Sequence, residues 1–286
     1  MKETELRQRL RAVLAGSKCV SPADIYDPVS ARVAESVGYE IGALTGAMAS
    51  ISTLATPDLM VLTLSELASQ IRRIRRVSDL ALLIDADHGY GNALNVMRTV
   101  EELEHAGVAG LTIEDTRLPR SFGQPEDSLV LISIEEMLGK LRAAVSARRD
   151  PSLLIAGRGS LRIRNLDESI KRFKAYATTG IDAIFVVGLE NIEQLKAIQA
   201  AVHLPIMLGP APAAIKREAL ALHGARIVLH SHEPSAAVAK ALHGVYSHLY
   251  KGGAPADLNS RIASPQEMDS VVNVADFAKR QRDFLK

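Results

Sequence analysis

Tryptophan is absent from this chain of 286 residues, the other aromatics are sparse, and cysteine occurs once, at Cys19. A lone cysteine excludes any disulfide within the chain. Nothing else points to an oxidising compartment, so the expectation is a cytoplasmic protein in a reducing environment. No sign of charge dominates: 34 Lys and Arg stand against 33 Asp and Glu, a formal net charge of +1. No basic run is interleaved with aromatics, so a groove that tracks a phosphate backbone is not expected, and nucleic acid is not a partner. Long apolar runs are also missing. The N-terminus, MKETELRQRLRAVLAGSKCV, carries charges where a signal peptide needs an unbroken apolar core, and no later segment offers the roughly 18 uncharged apolar residues of a membrane span. The reading is a protein neither exported nor embedded in a membrane.

What is present suits one large domain. The hydrophobic fraction is 47% and the charged fraction 23%, values of an ordinary soluble protein with a sizeable core. The length lies in the range that a single α/β barrel fills. Short runs rich in Val, Ile and Leu alternate with stretches of helical period, as buried parallel strands and their covering helices do. CVSPADIY, EIGALTG, ALLIDAD, GLTIED, LLIAG, AIFVVG, PIMLG and RIVLHSH supply eight strands. Amphipathic stretches from Asn92 to His105 and from Asp167 to Thr179 end at Gly107 and Gly180, where helix C-termini favour glycine. Eight βα units without a composition break predict a single (β/α)8 TIM-type barrel over 1–286. An open doubly wound sheet would show fewer strands and a glycine fingerprint after the first. The polar connection from Thr116 to Leu129 reads as a lid. The tail, about 265–286, reads as one more helix, apolar on more than one side and placed against a second subunit.

Barrel chemistry sits at the C-terminal ends of the strands. Those ends carry Thr45, Asp85 and Asp87, Glu114 and Asp115, Arg158, and His230 and His232. Asp85 and Asp87, two apart in a strand, emerge on one face. Two buried carboxylates cannot both stay ionised without a compensating cation, and Mg2+ or Mn2+ is the hard ion that oxygen ligands suit. The alternative is that one aspartate caps the helix near Asn92 while the other is solvated; Glu114 on the next strand tips the balance towards metal. Arg158 offers a fork of donors to a substrate carboxylate, or else merely neutralises Asp87 or Glu114. His232 is either a substrate contact or a hydrogen-bonded strand-end histidine. Lys140, Lys171, Lys174 and Lys196 all fall on helical stretches, which disfavours a Schiff base. The lid lacks cysteine and histidine, and no paired glycine loops cradle a phosphate, so a small carboxylate is the expected ligand.

YDPVSARVAESVG, LTGAMAS, the PDL at Pro57 to Leu59, IDADHGYGNALNVMRTVEELEHAGVAGLTIEDT and AGRGS together resemble the isocitrate lyase and phosphoenolpyruvate mutase superfamily, and within it the oxaloacetate decarboxylase branch. The resemblance implies that Asp85 and Asp87 form the magnesium site, directly or through water, with Asp58 and Glu114 outside them. It implies substrate contacts from Thr45, Gly46, Ala47, Ser50, Arg158 and His232, and a 2-keto dicarboxylate as substrate. It implies a homotetramer, a dimer of dimers with exchanged C-terminal helices. Two features depart from the superfamily: LPRSFGQ replaces the lysine, cysteine, glycine and histidine of the lyase lid, and Gly159 and Ser160 follow the arginine where many relatives have threonine and an acid or amide. The implied reaction is Mg2+-dependent loss of CO2 from oxaloacetate. Open beside it are another enolate reaction, of a 2-methylisocitrate-type lyase or on phosphonopyruvate, and a silent keto-acid-binding barrel.

Overall fold

The computed structural model describes residues 3–125, 128–162 and 165–285. It comprises two compact units, Met1–Ser231 and His232–Lys286. The first holds eight parallel strands in sequence order: β1 Ala23–Asp24, β2 Ile41–Leu44, β3 Ala81–Asp85, β4 Gly110–Glu114, β5 Leu154–Ser160, β6 Ala183–Val187, β7 Ile206–Leu208 and β8 Ala225–Val228. A parallel bridge from Val20 to Ile227 brings the segment ahead of β1 against β8. The fold is the α/β TIM type that eight βα units predict.

Alternation along the strands separates two apolar layers. Leu82, Ile84, Leu111, Ile113 and Ile155 point outward and pack with the covering helices. Ala81, Leu83, Leu154, Ala156, Ala183 and Phe185 point inward, and Leu6, Leu10 and Leu14 of the helix Glu3–Ala15 join them as a plug. Continuing the inward parity towards the strand ends reaches Asp85, Glu114 and Arg158, so the apolar filling gives way to charge at the C-terminal mouth. Helices begin where side chains satisfy first-turn amides: Thr45 accepts from Met48, Asn92 from Leu94 and Asn95, and Asn165 from Glu168.

Several boundaries differ from the sequence expectation. β1 is two residues long, and β8 stops at Val228, so His230 and His232 lie beyond it. β3 stops at Asp85, leaving Asp87 in the following turn. The tail is not one helix: Pro265–Val271 and Val274–Phe284 are separated at Asn273, whose φ of 56° is left-handed and interrupts the α conformation. Ahead of them the second unit holds Glu233–Tyr250 and the 3-10 turn Pro255–Leu258. Of the expected lid, residues 126 and 127 lie outside the described residues. Among the described residues, no helix is long and apolar enough to cross a membrane.

Candidate active site

Asp85 ends β3 with its carboxylate inside the barrel, where Thr112 of β4 donates to Oδ1 at 3.1 Å and Arg158 of β5 bonds Oδ2 through Nη1. The same guanidinium reaches Glu114 Oε2 through Nε at 3.0 Å, and its Cζ lies over the Phe185 ring, 5.7 Å from the centroid. One arginine thus bridges two strand-end carboxylates over an aromatic floor. Burial works against its charge, but Asp85, Glu114 and Asp87 outweigh that and hold it protonated. Its side chain remains 22% exposed, so part of the guanidinium faces the cleft.

Asp87 reaches this cluster by an unusual backbone. Asp87 and Tyr90 have φ of 47° and 60°, and Gly89 and Gly91 between and after them are also positive. Non-glycine residues in this region cost about 1 kcal/mol or more each and persist where their surroundings over-determine them. Here the Asp87 amide donates to Asp85 Oδ1 (3.2 Å), the Asp87 carbonyl accepts from the Glu114 amide (2.7 Å), and the Gly89 amide closes on the Ala86 carbonyl (2.8 Å). The turn aims the Asp87 carboxylate at its neighbours. Burial first, then the charges of Asp85, Asp58 and Glu114, push its pKa well above the ordinary carboxylate value against the pull of Arg158. Burial likewise raises Glu114, opposed chiefly by Arg158.

Asp58 approaches from the loop after the helix Gly46–Leu54, and Gly46 makes room for it. A Cβ on Gly46 would lie 2.7 Å from Asp87 Oδ1 and 3.3 Å from Asp58 Oδ2. Crowded acidic oxygens beside a missing side chain, with carboxyls held above their ordinary pKa, are a donor set that a hard divalent cation suits. Among the described residues, no three such donors enclose an ion by themselves. Water would complete the shell, as Mg2+ prefers. The residues fit such an ion.

A cleft of about 220 Å³ opens above the cluster, lined by Asp58, Asp87, Glu114 and Arg158 from the predicted set. A tighter recess beneath holds Gly46, Ser50, Asp85 and Tyr90. Thr45 and Ala47 line neither; the Thr45 hydroxyl caps its helix. Asp115 is committed elsewhere: it accepts from the Tyr176 hydroxyl at 2.6 Å and from Arg172 at 3.3 Å, although it also borders the cleft. His232 opens the second unit in a left-handed conformation at the start of Glu233–Tyr250. Of the two roles open to Arg158, bridging carboxylates is seen directly, to Asp85 and Glu114 rather than Asp87. Tyr90, Met60, Arg120 and Arg162 also line these spaces and were not singled out from sequence. Only Tyr90 had a signal there, as the aromatic inside DADHGYG.

Residues 10–249 match the family described as Phosphoenolpyruvate phosphomutase. The chain is 46% identical over 281 residues to an oxaloacetate decarboxylase of Bradyrhizobium diazoefficiens and 48% identical to one of Rhodopseudomonas palustris, each match covering 98% of this chain and 96% of the relative. Among solved structures, phosphoenolpyruvate phosphomutase from Streptomyces platensis subsp. rosaceus superposes with a TM-score of 0.89 at 28% identity, covering 98% of this chain and 99% of the other. A phosphonopyruvate hydrolase in complex with oxalate and Mg2+ gives 0.88 at 26% identity over the whole of both chains.

Proposed function

The chain belongs to the phosphoenolpyruvate phosphomutase family, and from that premise we propose that it decarboxylates oxaloacetate to pyruvate and CO2 with Mg2+, or Mn2+, as cofactor. The observation that carries this reading is the make-up of the cleft. Carboxylates and arginines line it, and no lysine, cysteine or histidine stands among the described residues of its wall. Without lysine there is no Schiff base, and without thiol or imidazole there is no acid poised for the leaving carbanion of a lyase. Decarboxylation of a 2-keto acid needs no Schiff base and no acid on its leaving group, since CO2 departs without a proton; the enolate left behind takes its proton in a later step, from water or from a residue outside this wall.

The chemistry that Mg2+ supplies when bound is Lewis acidity, which stabilises the enolate left as CO2 departs. Asp85 and Asp87 would hold the ion, directly or through water, with Asp58 and Glu114 outside them. Arg158, fixed by Asp85 and Glu114, turns its remaining donors to a substrate carboxylate, so its charge is oriented before substrate arrives. Ser50 and the segment Thr45, Gly46 and Ala47 orient the substrate. His232 is proposed, on the sequence resemblance, to bind substrate or protonate the enolate. The chain is further proposed to act as one domain over 1–286, to be cytoplasmic, and to assemble as a homotetramer in which the C-terminal helices are exchanged.

Pyruvate release from oxaloacetate, corrected for spontaneous decay and measured with Mg2+ and with chelator, tests the reading. Wild type should release pyruvate only with metal, and Asp87→Ala should lose that activity. No release above background would overturn it in favour of another enolate reaction of the superfamily.

A further inference from the structure

Lys140 takes no part in the cleft, yet it is among the most buried charges in the chain. It sits on the helix Ile134–Ala147 with 3% of its surface exposed, and its Nζ donates to the His88 carbonyl at 2.8 Å. Among the described residues it makes no other hydrogen bond and no ion pair. Burying an ammonium for one neutral partner is costly, so the contact calls for a reason. Glu136 and Glu114 offset part of that cost from nearby.

The acceptor supplies the reason. His88 lies between Asp87 and Gly89, both of positive φ, in the turn that aims the Asp87 carboxylate. The His88 ring does little to secure this turn, since its buried Nδ1 has no hydrogen-bond partner. The remaining ties act at the backbone: Asp87 N to Asp85 Oδ1, Glu114 N to Asp87 O, Gly89 N to Ala86 O, and the buried Thr99 hydroxyl to Gly89 O at 3.1 Å. Lys140 adds the one tie whose donor is charged, and such bonds are roughly twice as strong as neutral ones.

We propose that Lys140 is a positioning residue for the cation site, holding the 87–91 turn from behind through the His88 carbonyl so that Asp87 meets the ion without rearrangement. This rests on the reading of Asp85 and Asp87 as the cation site, and direct Mn2+ binding separates the two. Mn2+ is titrated into wild type, Lys140→Met and Lys140→Arg, with free ion followed by electron paramagnetic resonance and the unfolding temperature recorded in chelator. The Met variant should bind about 10–100-fold more weakly, the loss typical when a group supporting a metal ligand is removed. Its unfolding temperature in chelator should stay close to wild type, because the relief of a buried ammonium and the loss of the His88 carbonyl's partner oppose one another. The Arg variant, which keeps the charged donor, should bind within a few-fold of wild type, and kcat at saturating metal should change far less than the metal concentration for half-maximal rate. Unchanged or tighter Mn2+ binding by a folded Met variant would overturn the proposal; tighter binding would mean that Lys140 acts only by charge repulsion. Lys140→Gln, whose amide ends one bond short of the ammonium, takes the same test if the Met variant does not fold. Failure of wild type to bind Mn2+ would instead overturn the cation-site reading on which the proposal stands.

Discussion

At Arg158 two donors on one planar group fix two carboxylates from neighbouring strands. Lysine carries charge but no fork, so Arg158→Lys cannot hold Asp85 and Glu114 in the same geometry. Its kcat/KM for oxaloacetate should fall about 100-fold or more, some 2.7 kcal/mol of transition-state stabilisation; near-normal steady-state kinetics would remove the bridging role. Gly159, next along β5, is set by packing. A Cβ there would stand 2.7 Å from Cε1 of Phe173, a fully buried ring lying edge-on to Tyr176, whose hydroxyl anchors Asp115. The threonine that many superfamily members carry cannot enter unless that ring moves. Gly159→Thr should lower stability by about 1–3 kcal/mol, the range of overpacked cores, read from the urea midpoint. Cys19 is set by burial, which pushes its thiol up to about 11 despite the lowering effect of Arg217 and Arg226. Against an ordinary thiol at 9.0, the thiolate fraction at pH 8 is lower by about a hundredfold, so native alkylation at pH 8 should be slower than in the unfolded chain by about that factor. The sign for stability follows: a folded-state pKa above the unfolded value costs stability as pH rises through 9 towards 11.

Among the elements, the helix Glu3–Ala15 is tied to the barrel by charge as well as by leucines. Asp182, just ahead of β6, accepts from Arg11 (2.8 Å), Arg148 (2.6 Å) and the Ile155 amide (2.9 Å). Asp182→Ala removes the charged acceptor of two guanidiniums and the acceptor of an amide, while Arg11 and Arg148 keep the Leu153 carbonyl, and about 2 kcal/mol of stability should be lost in chemical denaturation. Arg11→Ala should lose less, because Arg148 stays paired. The element pattern was legible because alternation and period are local properties: eight apolar runs became eight strands, and the lysines fell on helices as expected. Strand ends were less legible. The sequence reading placed Asp85 and Asp87 on one face by strand alternation, whereas Asp87 reaches the site through a left-handed turn that alternation cannot express. His230 and His232 looked like strand-end residues because VLHSH continues an apolar run, yet pairing with β7 ends at Val228. Asp115 looked as available as Glu114; only the distant Arg172 and Tyr176, meeting it from the helix Leu166–Ala177, show that it is committed. Lys140 was read correctly as helical, but its grip on His88 spans 52 positions, and no local pattern announces such a contact.

For the whole molecule, the second unit poses the energetic question. Glu233–Tyr250 is an 18-residue helix without a buried residue, and Val238, Leu242, Tyr246 and Leu249 stand exposed along it. Their spacing places them on one stripe, the pattern of a helix that packs. Most helical stability comes from packing an apolar face, and isolated helices are marginal in water. Val274–Phe284 repeats the situation with Val274, Phe277 and Phe284 exposed. Other copies of the same chain would supply the missing cover in the proposed homotetramer. Sedimentation at micromolar concentration should then give a particle near four times 30.8 kDa, and the unfolding temperature should rise with protein concentration, as mass action requires when association favours the folded state. Leu242→Asp combined with Tyr246→Asp places two charges on the stripe and should shift the particle to smaller species while leaving the buried core of the first unit untouched. Because the residues proposed to hold the cation and Arg158 all lie in the first unit, Mn2+ binding should survive in the dissociated variant even where turnover does not. A wild type that sediments as a 30.8-kDa monomer, with an unfolding temperature independent of concentration, would show that the stripe is not an interface between copies.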